Sequence, residues 1–210
     1  MDLTVKKKLL LSFLGIALIL GIWSIDRYGK GMDSNSVSKL SAANMDQISS
    51  SSENAKAAIL EKENQLKENP GDANLRLELG NQYYDLASEL QSSNPEEAVL
   101  DFNKAVTHYQ EYLKTNNVLR VWVDLATAAY YGNDEATAEN AFKKAIQIDS
   151  KDDQVHYKYG VFLFHSKKDY PGAVQEWKTA LALNPSGQDA ERIKRLISGL
   201  EAEIAAGQEK

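Results

Sequence analysis

The sequence predicts an all-α fold, a solenoid of helix hairpins preceded by one transmembrane helix. Three observations carry that prediction. Large and small apolar residues recur about every 34 residues, most cleanly as Trp122, Leu125, Ala126, Ala129, Ala138, Phe142 and Ala145, and again as Tyr159, Gly160, Leu163, Ala173, Trp177, Ala180 and Pro185. Residues 9–25 form a run of 17 without a charge. No segment reads as a strand, because the apolar residues keep helical spacing.

Lys6, Lys7 and Lys8, within residues 1–8, precede the apolar run, and Asp26, Arg27 and Lys30 follow it. At ~1.5 Å per residue the run spans about 26 Å, within the working range for one membrane crossing. It is longer than the roughly 7–15 residues of a signal-peptide core, and Trp23, Ser24, Ile25 and Asp26 stand where a small-x-small cleavage site belongs. An uncleaved anchor is therefore expected over 9–25. The sequence has no cysteine, which excludes a lipoprotein anchor. Three lysines and the amino terminus before the run, against two cations after it, favour a cytoplasmic N-terminus and an exported C-terminal domain. The expected location is a bacterial cytoplasmic membrane crossed once, with the repeats outside the cytoplasm. Ala17 and Gly21 form a small-xxx-small pair. In a run so rich in Leu and Ile such a pair arises by chance, and no pairing role is assigned to it.

Residues 26–52 contain Gly29, Gly31 and eight serines. Few of these can be buried, so a flexible Ser-rich linker is expected, with a short helical piece around Val37, Leu40 and Ile48. The repeat domain, 53–210, opens with residues 53–70, where Ala55, Ala58, Ile59 and Leu66 share one face and predict a capping helix. Repeat 1 occupies 71–117, with Leu79, Gly80 and Tyr83 on its first helix and Ala98, Phe102 and Ala105 on its second. Gly80 to Ala98 is 18 residues where Ala126 to Ala138 is 12. Both helices are thus expected to overhang the stack by roughly six residues, or about 9 Å. The overhang holds Leu86, Leu90, Tyr109, Tyr112 and Leu113, which either zip against each other or form a docking ridge for another protein.

Repeats 2 and 3 occupy 119–152 and 153–187. Small residues at Ala126 and Gly160 let paired axes approach to about 8–10 Å. Ala138 and Ala145, and Ala173 and Ala180, lie seven apart on shared faces, with Phe142 and Trp177 between them as bulky knobs. After Pro185 and Gly187, residues 188–206 space Ile193, Leu196, Ile197, Leu200 and Ile204 as a helix backed by charges, a cap over the last open face.

In these slots the chain resembles the tetratricopeptide repeat (TPR) family, whose signature sets Trp, Leu, Gly and Tyr on a first helix and Ala, Phe, Ala and a trailing Pro on a second. The resemblance implies a protein-binding groove lined by first helices. Asn81 and Tyr84 would line it from repeat 1; Val123, Thr127, Tyr130 and Tyr131 from repeat 2; Tyr157, Val161, Phe164 and His165 from repeat 3. Tyr84, Tyr130 and Phe164 fall at equivalent places. Such aromatics either form a ladder suited to an extended peptide or a helix, or pack between repeats. Family members that grip acidic chaperone tails place Lys and Asn at fixed groove positions. Leu77, Val123 and Tyr157 stand where that Lys would be and only Asn81 matches, so a more apolar ligand is expected.

Charge and side-chain inventory narrow the function. The chain has 24 Lys and Arg against 30 Asp and Glu; residues 1–52 hold six and four of these, leaving 18 against 26, a net −8, for 53–210. A domain this acidic offers little to a phosphate backbone, and no nucleic-acid partner is expected. The three histidines, His108, His156 and His165, form no metal motif, and no glycine loop for phosphate appears, so no cofactor, metal or catalysis is expected. His156 falls where repeat 2 has Trp122 and reads as a packed side chain. The expectation is a membrane-anchored scaffold whose partner is a protein or peptide, itself exported or membrane-associated, in assembly or maturation of an envelope or membrane complex. The layout is similar to bacterial anchored repeat proteins, including those serving cytochrome c maturation, although no residue identifies that pathway. The alternative is a permanent structural subunit of a membrane or surface assembly, with the long first hairpin as its fixed interface.

Overall fold

A computed structural model describes the backbone of residues 34–208 and the side chains of 51–205. Eight α-helices and one π-turn follow in order: α1 Ser34–Glu68, α2 Ala73–Leu90, α3 Pro95–Leu113, α4 Leu119–Tyr131, α5 Glu135–Ile148, α6 Asp153–Phe162, the π-turn Leu163–Lys167, α7 Tyr170–Leu183 and α8 Ala190–Gln208. There is no strand among the described residues. The chain divides into two units, Met1–Asn54 and Ala55–Lys210, and the second holds every hairpin. The expected membrane anchor, 9–25, lies outside the described residues, and among those described no helix is long and apolar enough to cross a membrane.

The hairpins are α2 with α3, α4 with α5, and α6 with α7, and each second helix also packs on the next first helix. Short polar side chains start them. Asp72, Asn94, Asp134, Asp152 and Asp169 each accept a backbone N–H from the first turn of the helix that follows. Each such cap stabilises its helix by about 1 kcal/mol. The alanines and knobs of repeats 2 and 3 are buried as a set: Ala126, Ala129, Ala138, Phe142 and Ala145, then Gly160, Ala173, Trp177 and Ala180.

Gly160 meets its partner helix at its knob. A Cβ there would lie 2.5 Å from Cδ1 and Nε1 of Trp177, whose ring is itself buried. Gly80 plays the same part in the first hairpin, but the ring against it is Tyr109, at 2.7 Å from the place of a Cβ. Phe102 instead packs edge-on against Tyr84.

The long hairpin differs from expectation in a second way. Its helices have 18 and 19 residues against 13 and 14 in the next. Leu86 and Leu90 end α2 at the turn, whereas Tyr109, Tyr112 and Leu113 end α3 at the opposite end, so there are two extensions and no single overhang. Leu86, Leu90 and Tyr109 are buried in the core and Tyr112 and Leu113 pack half-buried against it. The extensions are therefore covered by the core, Leu113 standing beside Trp122 and Leu125 of the next repeat.

Two further differences concern the N-terminal part. Residues 34–52, expected as linker, are helical and continuous with 53–68 in α1. No Gly or Pro interrupts positions 34 to 68, and serine costs a helix only about 0.5 kcal/mol relative to alanine. Within α1, Ile59 is buried and Ala55 and Leu66 pack partly, but Ala58 is exposed. At the other end α8 buries Ile193, Ile197 and Leu200.

Gly160 to Ala173 is 13 residues, one more than Ala126 to Ala138. The π-turn, which adds one residue to a helical turn, absorbs the difference. Lys168 closes it in the left-handed region at φ 55, as Asn133 at φ 63 closes the end of α4.

Candidate functional site

The first helices α2, α4 and α6 supply the candidate groove. Tyr131 is exposed and stacks on Phe102 with centroids 5.2 Å apart. Burial, then the neighbouring Tyr131, pushes the Tyr84 hydroxyl up to about 12, and burial raises Tyr157 against the pull of the Arg192 charge. Tyr84, Tyr131 and Tyr157, one on each of three successive first helices, are thus exposed or half-buried. Asn81 sits beside them, its Oδ1 accepting from the Tyr109 hydroxyl at 3.0 Å. Thr127 and Val161 are half-buried, and the Thr127 hydroxyl donates to the Val123 carbonyl at 2.8 Å. The Arg192 guanidinium of α8 stands 4.9 Å over the Tyr157 ring, closing the end of the row.

Other expected groove residues are placed elsewhere. Val123 is buried with Ala145 and Val155, because α5 and α6 close over it at the joint between repeats. Tyr130 packs between repeats, tilted on Tyr131 at 4.8 Å and edge-on to Phe162 at 6.1 Å, and burial pushes its hydroxyl up to about 12. Phe164 follows the π-turn's first residue and rests on Trp177 at 5.8 Å and Tyr170 at 5.5 Å. His165 is exposed with its ring edge-on to Phe164; partial burial, then the Lys168 charge, lowers its pKa. Tyr84, Tyr130 and Phe164 therefore make no continuous ladder. The aromatic contacts run instead through Tyr84, Phe102, Tyr131, Tyr130 and Phe162.

Two charged residues absent from the sequence reading join this face. Asp124 is half-buried, and burial raises its pKa despite two Arg120 contacts at 3.1 Å. Lys158 is half-buried as well, and burial, reinforced by the Arg120 charge, lowers its pKa against the pull of Asp124 and Asp152. Both hold charge where it is disfavoured. They stand 34 residues apart, one repeat period, and that interval was the signal that would have paired them.

His156 is buried as expected of a packed side chain, with Nδ1 2.6 Å from the Glu176 carboxylate and Nε2 3.1 Å from the Ser150 carbonyl. Among the described residues no group of three or more His, Cys, Asp or Glu is placed to hold a metal ion.

No family model matches the chain. An uncharacterised protein of Haemophilus influenzae is 31% identical over 97 residues, 45% of this chain and 49% of its own length. The chain therefore spans about half the length of that curated relative. Among solved structures, MamA superposes with a TM-score of 0.53 at 18% identity, covering 72% of this chain and 80% of MamA. A second MamA structure gives 0.52 at 14% identity, covering 86% and 99%. The fold is a TPR-like α-solenoid. In that solenoid Tyr84, Tyr131 and Tyr157, with the half-buried Asp124 and Lys158, lie on the successive first helices α2, α4 and α6.

Proposed function

We propose that this chain is a membrane-anchored TPR-like scaffold that binds an extended polypeptide along its first helices during assembly or maturation of an envelope or membrane complex. The observation that carries the binding reading is the tyrosine row. It supplies one exposed or half-buried ring on each of α2, α4 and α6, and the reading is that one peptide lies across all three. Asp124 and Lys158 support it as half-buried charges on the same first helices, able to meet polar groups of a bound chain. The anchor and the exported orientation rest on the 17 uncharged residues 9–25 and the cations around them. Of the surface on which the rival structural-subunit reading rests, Leu86, Leu90 and Tyr109 are buried, and Tyr112 and Leu113 are half-buried.

Photo-crosslinking residues placed at Tyr131 and Tyr157 in the full chain, in intact membranes, test the groove. Adducts with another polypeptide are expected at both positions and not at exposed Gln175 on α7. Equal labelling from Gln175, or none from either tyrosine, overturns it. Protease added to spheroplasts should digest the repeats; full protection reverses the proposed orientation.

A further inference from the structure

The second helices carry a hollow that the groove does not use. It has a volume of about 350 Å³ and lies between the last turn of α3 and the middle of α5, with α4 beneath. Leu125 and Ala141 form a closed apolar floor, and half-buried Leu113 and Trp122 stand beside them. Gln110 and Lys114 on one side, and Asn140 and Lys144 on the other, make an exposed polar rim. Of these, Lys114 is paired with Glu111 on its own turn at 2.6 Å. Gln110, Asn140 and Lys144 make no side-chain hydrogen bond or ion pair among the described residues.

Charge says what fits. Within a domain of net −8, this apolar hollow is edged by one ammonium group unpaired among the described residues, Lys144, on the α5 side, whereas Lys114 across the mouth already holds the Glu111 carboxylate. A complementary ligand is apolar at its centre and anionic on the side that meets Lys144. The hollow is shallow and open between two helices, with buried Leu125 and Ala141 at its base, and its volume suits one large side chain. Gln110 and Asn140, on opposite sides of the mouth, each carry an amide that can donate and accept.

We propose that this hollow docks a second polypeptide segment, one that inserts a single large apolar side chain with an acidic residue next to it to meet Lys144. The site is independent of the tyrosine row and leaves it free, so the scaffold holds two segments at once.

The test titrates the full chain in lipid nanodiscs with two short peptides, a leucine flanked by glutamates and the same leucine flanked by lysines. The readout is the NMR signal of the Trp122 indole N–H, identified by its loss in Trp122→Phe. The glutamate peptide is expected to shift that signal and the lysine peptide to leave it in place. Lys144→Glu, at an exposed position that leaves packing intact, is expected to weaken binding about tenfold, whereas Tyr131→Ala leaves it unchanged. No shift, equal shifts from both peptides, or undiminished binding to Lys144→Glu overturns the proposal. So does a concentration-dependent shift before any peptide is added, which would mean that a second copy of the chain fills the hollow.

Discussion

At Gly160 one hydrogen atom separates contact from collision. Gly160→Ala drives a methyl into the buried Trp177 ring and is expected to cost about 1–3 kcal/mol, read as a lower midpoint in urea unfolding. Ala126 is tolerated at the equivalent place, where the knob of the repeat is the smaller Phe142. Lys168 is strained in the opposite sense. It holds the left-handed conformation that asparagine adopts more readily, and Lys168→Asn, which copies Asn133, should raise stability by roughly 0.5–1 kcal/mol. Asp124 contributes a pH effect. Its folded pKa is raised above 3.8, so the unfolded chain gives up this proton first and stability falls as pH climbs through the interval between the two values. Asp124→Asn should therefore unfold at a higher temperature than the parent at pH 7, with a margin that vanishes below pH 3.8. The same substitution should weaken the polypeptide adduct at Tyr157.

Between helices, partners are set by counting across the turn, whereas repeat spacing counts along the chain. The two agree in the third hairpin, where Gly160 meets Trp177, and for that reason this pair was legible from the sequence. They disagree in the first. Five extra residues on each side of its turn bring Tyr109 opposite Gly80 and leave Phe102 to Tyr84 and Tyr131. A double-mutant cycle separates the two registers. Gly80→Ala should be partly rescued by Tyr109→Leu, with a coupling of about 0.5–3 kcal/mol, and not by Phe102→Leu. Burial of Val123 was hidden for a similar reason: groove positions follow from one repeat alone, but Val123 is closed by Ala145 and Val155 from the next joint. The helix over 34–52 escaped because composition measures what cannot be buried, while continuity depends on breakers, and none stands between 34 and 68.

For the molecule as a whole, the ends of the stack decide solubility. An internal repeat covers both neighbours, but the last hairpin would present α7 to water were it not for Ile193, Ile197 and Leu200 of α8. A chain stopped after Gly187 is expected to melt lower than the parent and to bind a hydrophobic dye strongly. Retention of the parental melting curve would show that α8 does not seal the stack. The alternation of small and large residues made the solenoid legible; the half-buried charges of its binding face were not, because their meaning depends on depth, and depth is created only when three first helices align.

The π-turn has a consequence for how such a chain changes length over generations. One surplus amino acid before residue 168 is swallowed within a single turn, and Ala173, Trp177 and Ala180 return to phase as though nothing had been inserted. Insertions at the crest of a hairpin are thus harmless to everything downstream, whereas the same insertion at the joint holding Val123, Ala145 and Val155 would slide one repeat against the next. Drift in this protein should accumulate at its crests and spare its joints.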